Sequence, residues 1–220
     1  MNAISSQLRV RYLGIQPYQP VWEAMKRFTQ TRDEASIDEF WVLQHPPVFT
    51  LGQAGKDEHL LAPGEIPVVK TDRGGQVTYH GPGQLVLYLL IDIRRRKLGV
   101  RSLVTAIEEA IIAMLGAQGI VAQARSDAPG VYVENAKIAS LGLRVRNGST
   151  FHGLSLNIEM DLEPFQRINV CGHEGLAVTQ LTDWVSVGDF KQVAERLIES
   201  LMVTLGYQAR SNIAGVYNDE

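Results

Sequence analysis

Apolar positions along the chain alternate between strand-like and helical spacing, so strands and helices are expected to interleave. Leu8 to Ile15 alternates as a strand does. Pro17 to Ala35 then carries Val21, Ala24, Met25 and Phe28 at helical spacing, with Pro20 near its start, which predicts a first helix. Phe40 to Gln44 and Val48 to Leu51 read as strands separated by His45-Pro46-Pro47, because proline neither donates to a ladder nor lets its predecessor be helical. Leu60 to Pro67 is loop-like, and Val68 to Lys70 is a short strand. The seven residues Leu85 to Ile91 are continuously apolar, as in a strand covered on both faces, and are the expected centre of the sheet.

Ser102 is positioned to cap a helix carrying Leu103, Ala106, Ile107, Ala110, Ile111, Met114 and Leu115 and stopping near Gly116 and Gly119. Strands return at Ile120 to Ala124, Gly130 to Val133, Lys137 to Val145 and Phe151 to Glu159, and Asn147-Gly148 between the last two is a strong hairpin signal. Asp161 to Gly175 is irregular, and Leu176 to Trp184 has room for a helical turn. Phe190 to Leu205 has the spacing of a closing helix. The pattern predicts one α+β domain over residues 1–220 with a mixed, largely antiparallel sheet packed with helices, and a small C-terminal extension over 206–220.

Composition narrows the function classes. With 220 residues and 45% hydrophobic content the chain can bury a sizeable core, and 21 basic against 24 acidic residues argue against a nucleic-acid-binding face. No export signal opens the chain, and its longest apolar run is far short of the roughly 20 residues that cross a bilayer, so a soluble, cytoplasmic protein is expected. A single cysteine, Cys171, excludes an intrachain disulfide and fits a reducing compartment.

The segment Arg73-Gly-Gly-Gln-Val-Thr-Tyr-His-Gly-Pro-Gly-Gln84 holds four glycines yet interleaves them with Arg, Tyr, His and Gln. It reads as a binding wall that a ligand approaches closely, or as a tight hairpin that needs glycine for positive φ. It lacks Gly-Lys-Ser/Thr, and no Gly-x-Gly-x-x-Gly opens a helix, so ATP is not expected. Cys171, beside Gly172 in an irregular stretch, is either an inert buried thiol or a nucleophile. An ordinary thiol, with a pKa of about 8.5, is only slightly ionised at neutral pH, so the second reading needs a cation or base close by. Lys137, at the start of an otherwise apolar run, is either a strand-end lysine or that partner. His80, His152 and His173 sit beside or near glycines while His45 and His59 sit in loops, and spacing does not choose between His and Lys as the activator. His80, His152 and Cys171 offer zinc ligands, but no pair has a metal-binding spacing, so no metal is expected.

Three motifs in order resemble one family, the octanoyl-[acyl-carrier-protein]:protein N-octanoyltransferases, also called lipoyl(octanoyl) transferases. They are Arg73 to Gln84; Lys137-Ile-Ala-Ser-Leu-Gly142 with His152-Gly-Leu-Ser-Leu-Asn157; and Ile168-Asn-Val-Cys-Gly172. The resemblance implies the fold of lipoate and biotin protein ligases. It also implies transfer of an octanoyl group from acyl carrier protein to a lysine of a lipoyl domain, in the 2-oxoacid dehydrogenases or the glycine cleavage H protein, with no cofactor. It implies that Cys171 carries the acyl group and Lys137 tunes it. Arg73, Gly74, Gly75, Gln76, Val77, Thr78, Tyr79 and His80, Ser140, Leu141 and Gly142, and Gly153, Leu154 and Ser155 would line the cleft. Val170 departs from the family, which more often has proline before the cysteine, and implies a less rigid approach to the nucleophile.

Overall fold

The computed structural model describes residues 3–213. In chain order its elements begin with β1 (Gln7–Ile15), α1 (Tyr18–Thr31), β2 (Asp38–Gln44), β3 (Val48–Leu51), β4 (Val68–Lys70), β5 (Val77–His80) and β6 (Gln84–Leu90). They continue with α2 (Val100–Gly116), β7 (Ala122–Ala124), β8 (Gly130–Val133), β9 (Ala136–Arg146), β10 (Ser149–Asn157), α3 (Phe190–Leu205) and β11 (Ala209–Ile213). Eight strands form one mixed sheet in the order β11-β1-β2-β6-β10-β9-β8-β7. Only β1 pairs in parallel there, with β2 and β11. A smaller sheet has the order β4-β3-β5.

The continuous apolarity of β6 is explained by what lies on its two sides. Leu85, Leu87 and Leu89 join the core that α2 and α3 cover, while Val86, Tyr88 and Leu90 join Val21, Ala24 and Met25 of α1. A strand sandwiched between helices has no face that needs polar residues. A third core, with Phe49, Leu51, Val77, Tyr79 and Phe165, fixes the small sheet against the segment that carries Cys171. The cleft opens between this layer and the large sheet.

The α+β architecture and the mixed sheet agree with the sequence pattern, and so does the hairpin of β9 and β10, whose turn residues Asn147 and Gly148 have φ of 51° and 76°. Several boundaries differ. Helix α1 stops at Thr31 rather than Ala35, because Asp33 turns the chain by accepting the Ala35 N–H at 3.0 Å. Helix α2 starts at Val100 after an extended Gly99, so Ser102 lies inside it and caps nothing. The strand expected from Ile120 begins at Ala122. Short 3-10 turns occupy Glu163–Arg167, Val170–Gly172 and Leu181–Asp183. Beyond Gly206 the chain adds β11 to the sheet edge, and residues 214–220 of the expected C-terminal extension lie outside the described residues. Strands β5 and β6 belong to different sheets, which removes the hairpin reading of the glycine segment. Among the described residues, no helix is long and apolar enough to cross a membrane.

Candidate active site

Lys137 enters at the second residue of β9 and is 2% exposed, a depth at which a lysine needs partners for its charge. It has them. Nζ donates to the Pro129 carbonyl at 2.8 Å and stands 2.9 Å from Cys171 Sγ. The Tyr132 ring lies below it, 5.4 Å from Nζ. Its backbone is tied on one side by hydrogen bonds with Ala177 and Thr179, at 2.8 and 3.0 Å, which join β9 to the chain just after the cysteine loop. Room for the side chain comes from Gly130: a Cβ there would stand 2.5 Å from Lys137 Cε.

Cys171 is half-buried in the Val170–Gly172 turn with φ 55° and ψ 20°, a left-handed conformation that costs a side-chain-bearing residue energy. The turn is held by Gly172 N–H to Asn169 O at 2.8 Å and His173 N–H to Val170 O at 3.0 Å, and its approach by Asn169 N–H to His59 O at 2.9 Å. Its first N–H groups, those of Val170 and Cys171, find no protein acceptor among the described residues, as expected at the start of a helical turn.

The cleft beside the sulfur is narrow and opens to solvent. One side is built from Arg73, Gly75, Gln76, Val77, Thr78 and His80, the other from Ser140, Leu141, Gly142, Gly153, Leu154 and Ser155. Arg73 is buried without a carboxylate partner among the described residues; it donates to Thr50 O, Thr50 Oγ1 and Gly74 O, and burial pulls its pKa down. Gly74 and Tyr79 do not line the cleft. Gly74 donates to Leu143 O at 3.0 Å, stitching the wall to β9, and Tyr79 packs between Phe49 and Phe165 in the core beneath. Tyr18, Val86, Tyr88 and His152 line the cleft without having been expected to.

Three of the histidines have partners other than the sulfur. His80 Nδ1 faces Gln84 Oε1 at 2.7 Å, and the Gln84 amide is oriented by donating to Tyr79 O and Asn157 Oδ1, so His80 carries its proton on Nδ1. Burial, helped by neighbouring His45, pushes His80 down to about 3, and burial alone takes His45 down to about 4. His152 Nε2 pairs with Asp72 at 2.9 Å, and Asp72 also accepts Trp22 Nε1–H. The side chain at hydrogen-bond distance from the sulfur is that of Lys137. Among the described residues no group of three or more His, Cys, Asp or Glu is arranged to hold a metal ion.

A thiol with an ammonium at hydrogen-bond distance, a left-handed turn presenting it, and a mostly apolar cleft alongside form an arrangement able to accept an acyl group. Residues 17–202 match the model of the lipoyl protein ligase A/B catalytic domain. The chain is 59% identical over 212 residues to an octanoyltransferase of Pseudomonas entomophila, covering 96% of this chain and 99% of that one. It is 61% identical over 206 residues to an octanoyltransferase of Stutzerimonas stutzeri, covering 94% of each. In fold it is similar to a lipoate-protein ligase A bound with ATP, at 17% identity and a TM-score of 0.76, over 94% of this chain and 89% of that one. The biotin protein ligase of Aquifex aeolicus is a more distant fold neighbour, at 10% identity and a TM-score of 0.53, over 90% of this chain and 68% of that one.

Proposed function

Since the chain belongs to the lipoyl protein ligase A/B catalytic domain family, we propose that it is an octanoyltransferase of protein lipoylation that works through a thioester on Cys171. The observation that carries this reading is the 2.9 Å contact of Lys137 Nζ with Cys171 Sγ at the edge of the cleft. The donor is octanoyl-acyl carrier protein. The acceptors are lysines of lipoyl domains in the 2-oxoacid dehydrogenases and the glycine cleavage H protein. The reaction belongs in the cytoplasm, where a single unpaired thiol stays reduced.

In the first half-reaction the Cys171 thiolate attacks the octanoyl thioester of the carrier's phosphopantetheine arm. The pantetheine sulfur leaves and takes a proton from the Lys137 ammonium. One thioester replaces another, so little free energy is lost and the acyl group stays activated. Lys137 is now neutral. In the second half-reaction the incoming lysine attacks the Cys171 thioester, its departing proton goes to Lys137, and Cys171 leaves as thiolate. The ammonium and thiolate are restored together. The free N–H of Cys171 is a donor for the oxyanion formed in both steps, a contribution of about 3 kcal/mol when well aligned. Val77, Val86, Leu141 and Leu154 provide apolar wall for the alkyl chain, whose burial is worth about 0.8 kcal/mol per methylene.

Because the donor arrives as a thioester, this chemistry needs neither ATP nor a metal. The test is to incubate the purified chain with octanoyl-acyl carrier protein and a lipoyl domain in the absence of ATP. Gain of one octanoyl amide on the lipoyl domain is expected. Transfer only from free octanoate with ATP would replace this reading with that of a ligase.

A further inference from the structure

The carbonyl that fixes the Lys137 ammonium has a support of its own. Pro129 O accepts from Nζ at 2.8 Å, and the next amide in the chain, Gly130 N–H, donates to Glu108 Oε1 at 3.0 Å. Glu108 is an acid on the buried side of α2, where its helical neighbours Ile107 and Ile111 are fully buried. It lies at the edge of that buried face, where its carboxyl is largely shielded from water and needs a partner. Among the described residues its side chain hydrogen-bonds only to the peptide that bears on Lys137, and burial raises its pKa while the Gly130 N–H and Lys137 oppose that shift.

We propose that Glu108 is a positioning residue for transfer: by gripping Gly130 N–H it sets the Pro129–Gly130 peptide so that the carbonyl holds Lys137 Nζ against Cys171 Sγ. The geometry around Gly130 leaves little slack for any other placement. A Cβ at Gly130 would lie 2.5 Å from Lys137 Cε, 3.0 Å from Nζ and 2.6 Å from Ala139 O, so the lysine stem runs directly against this backbone. If the peptide rotates, the ammonium loses one of its two acceptors and the stem loses its track. Glu108 touches neither substrate nor sulfur; it acts through backbone. The hydrogen bond, rather than the carboxylate's charge, carries the effect, since the acceptor oxygen is what Gly130 needs.

This inference rests on the assignment of Lys137 and Cys171 as the reacting pair, and the experiment separates the two. Glu108→Gln keeps an acceptor oxygen at the same reach and removes the charge, whereas Glu108→Asp keeps the charge and draws the oxygen back by one methylene. Both are compared with wild type and with Lys137→Ala for the rate of Cys171 alkylation by iodoacetamide at pH 7, and for kcat and KM of octanoyl transfer. Glu108→Asp is expected to lower the alkylation rate and kcat by about tenfold or more with KM changed less than about twofold, as for a small misplacement of a reacting group. Glu108→Gln is expected to stay within about threefold of wild type in both. Equal losses in Gln and Asp variants, or wild-type behaviour of the Asp variant while Lys137→Ala slows alkylation, would overturn the role of Glu108 and leave the reacting pair intact. An alkylation rate unaffected by Lys137→Ala would overturn the pair itself, and the inference with it.

Discussion

The Lys137 ammonium lies 2.9 Å from the Cys171 sulfur across 34 positions of sequence, brought there by the start of β9 on one side and a short turn with Cys171 in the left-handed region on the other. Everything else about the site follows from keeping these two atoms together beside an apolar cleft.

Replacing Lys137 by methionine keeps a long unbranched stem in the track beside Gly130 and removes the proposed proton carrier. The apolar stem fills the same space, so the protein should stay folded. Transfer should fall by about 10²- to 10⁴-fold, the usual contribution of a positioned proton-transfer group. Steady-state transfer together with a thermal melt checks this; a loss below about tenfold in a folded variant would remove Lys137 from the mechanism.

Val170 opens the turn that carries the cysteine without a positive φ, and its N–H finds no acceptor among the described residues. Asn169 before it is extended, at φ −85° and ψ 94°, as a residue preceding proline prefers to be. Val170→Pro should therefore be accommodated and stabilise by about 0.4–1 kcal/mol through the unfolded chain, offset in part by the lost burial of the valine side chain. The melting temperature, expected to rise by roughly 1–4 °C, measures it. A fall of several degrees would show that the turn needs the valine.

How much of this was legible beforehand depends on which interactions are local. The centre of the sheet showed in the unbroken apolarity of Leu85 to Ile91, and the β9–β10 hairpin in Asn147-Gly148, because each signal is contained in a few adjacent residues. Lys137 and Cys171 were marked by motif, but nothing in their separation of 34 residues states a distance. The family motif puts Tyr79 and His80 together in the cleft wall, yet the two-residue period of a strand sends Tyr79 into the core with Phe49 and Phe165 and turns His80 to the cleft. Glu108 gives no sequence signal, because it falls beside Leu115 on the edge of α2's apolar stripe, where an acid looks like the start of the solvent face. Its partner, Gly130 N–H, lies 22 residues away, and only the fold puts them in contact.

The buried histidines make stability sensitive to acid. His45 is held neutral between Gln16 O and Tyr88 OH, and His80 against Gln84, with pKa values of about 4 and about 3. In the unfolded chain both return to about 6.5, so below that pH the unfolded state binds protons that the folded state refuses. Their contribution is complete above about pH 6.5 and is lost as the pH falls toward 4 and 3. Urea unfolding should show stability dropping by roughly 2 kcal/mol per histidine between pH 7 and pH 5. His45→Gln should remove about half of that slope. A stability profile flat from pH 7 to 5 would mean that these rings are not buried as described.

The acyl-enzyme itself is visible in the intact mass of the chain after single-turnover incubation with octanoyl-acyl carrier protein, without acceptor. One added octanoyl group is expected, released by hydroxylamine and absent from Cys171→Ala, which should also be inactive in transfer. A wild-type mass that stays unmodified while transfer to a lipoyl domain proceeds would contradict it.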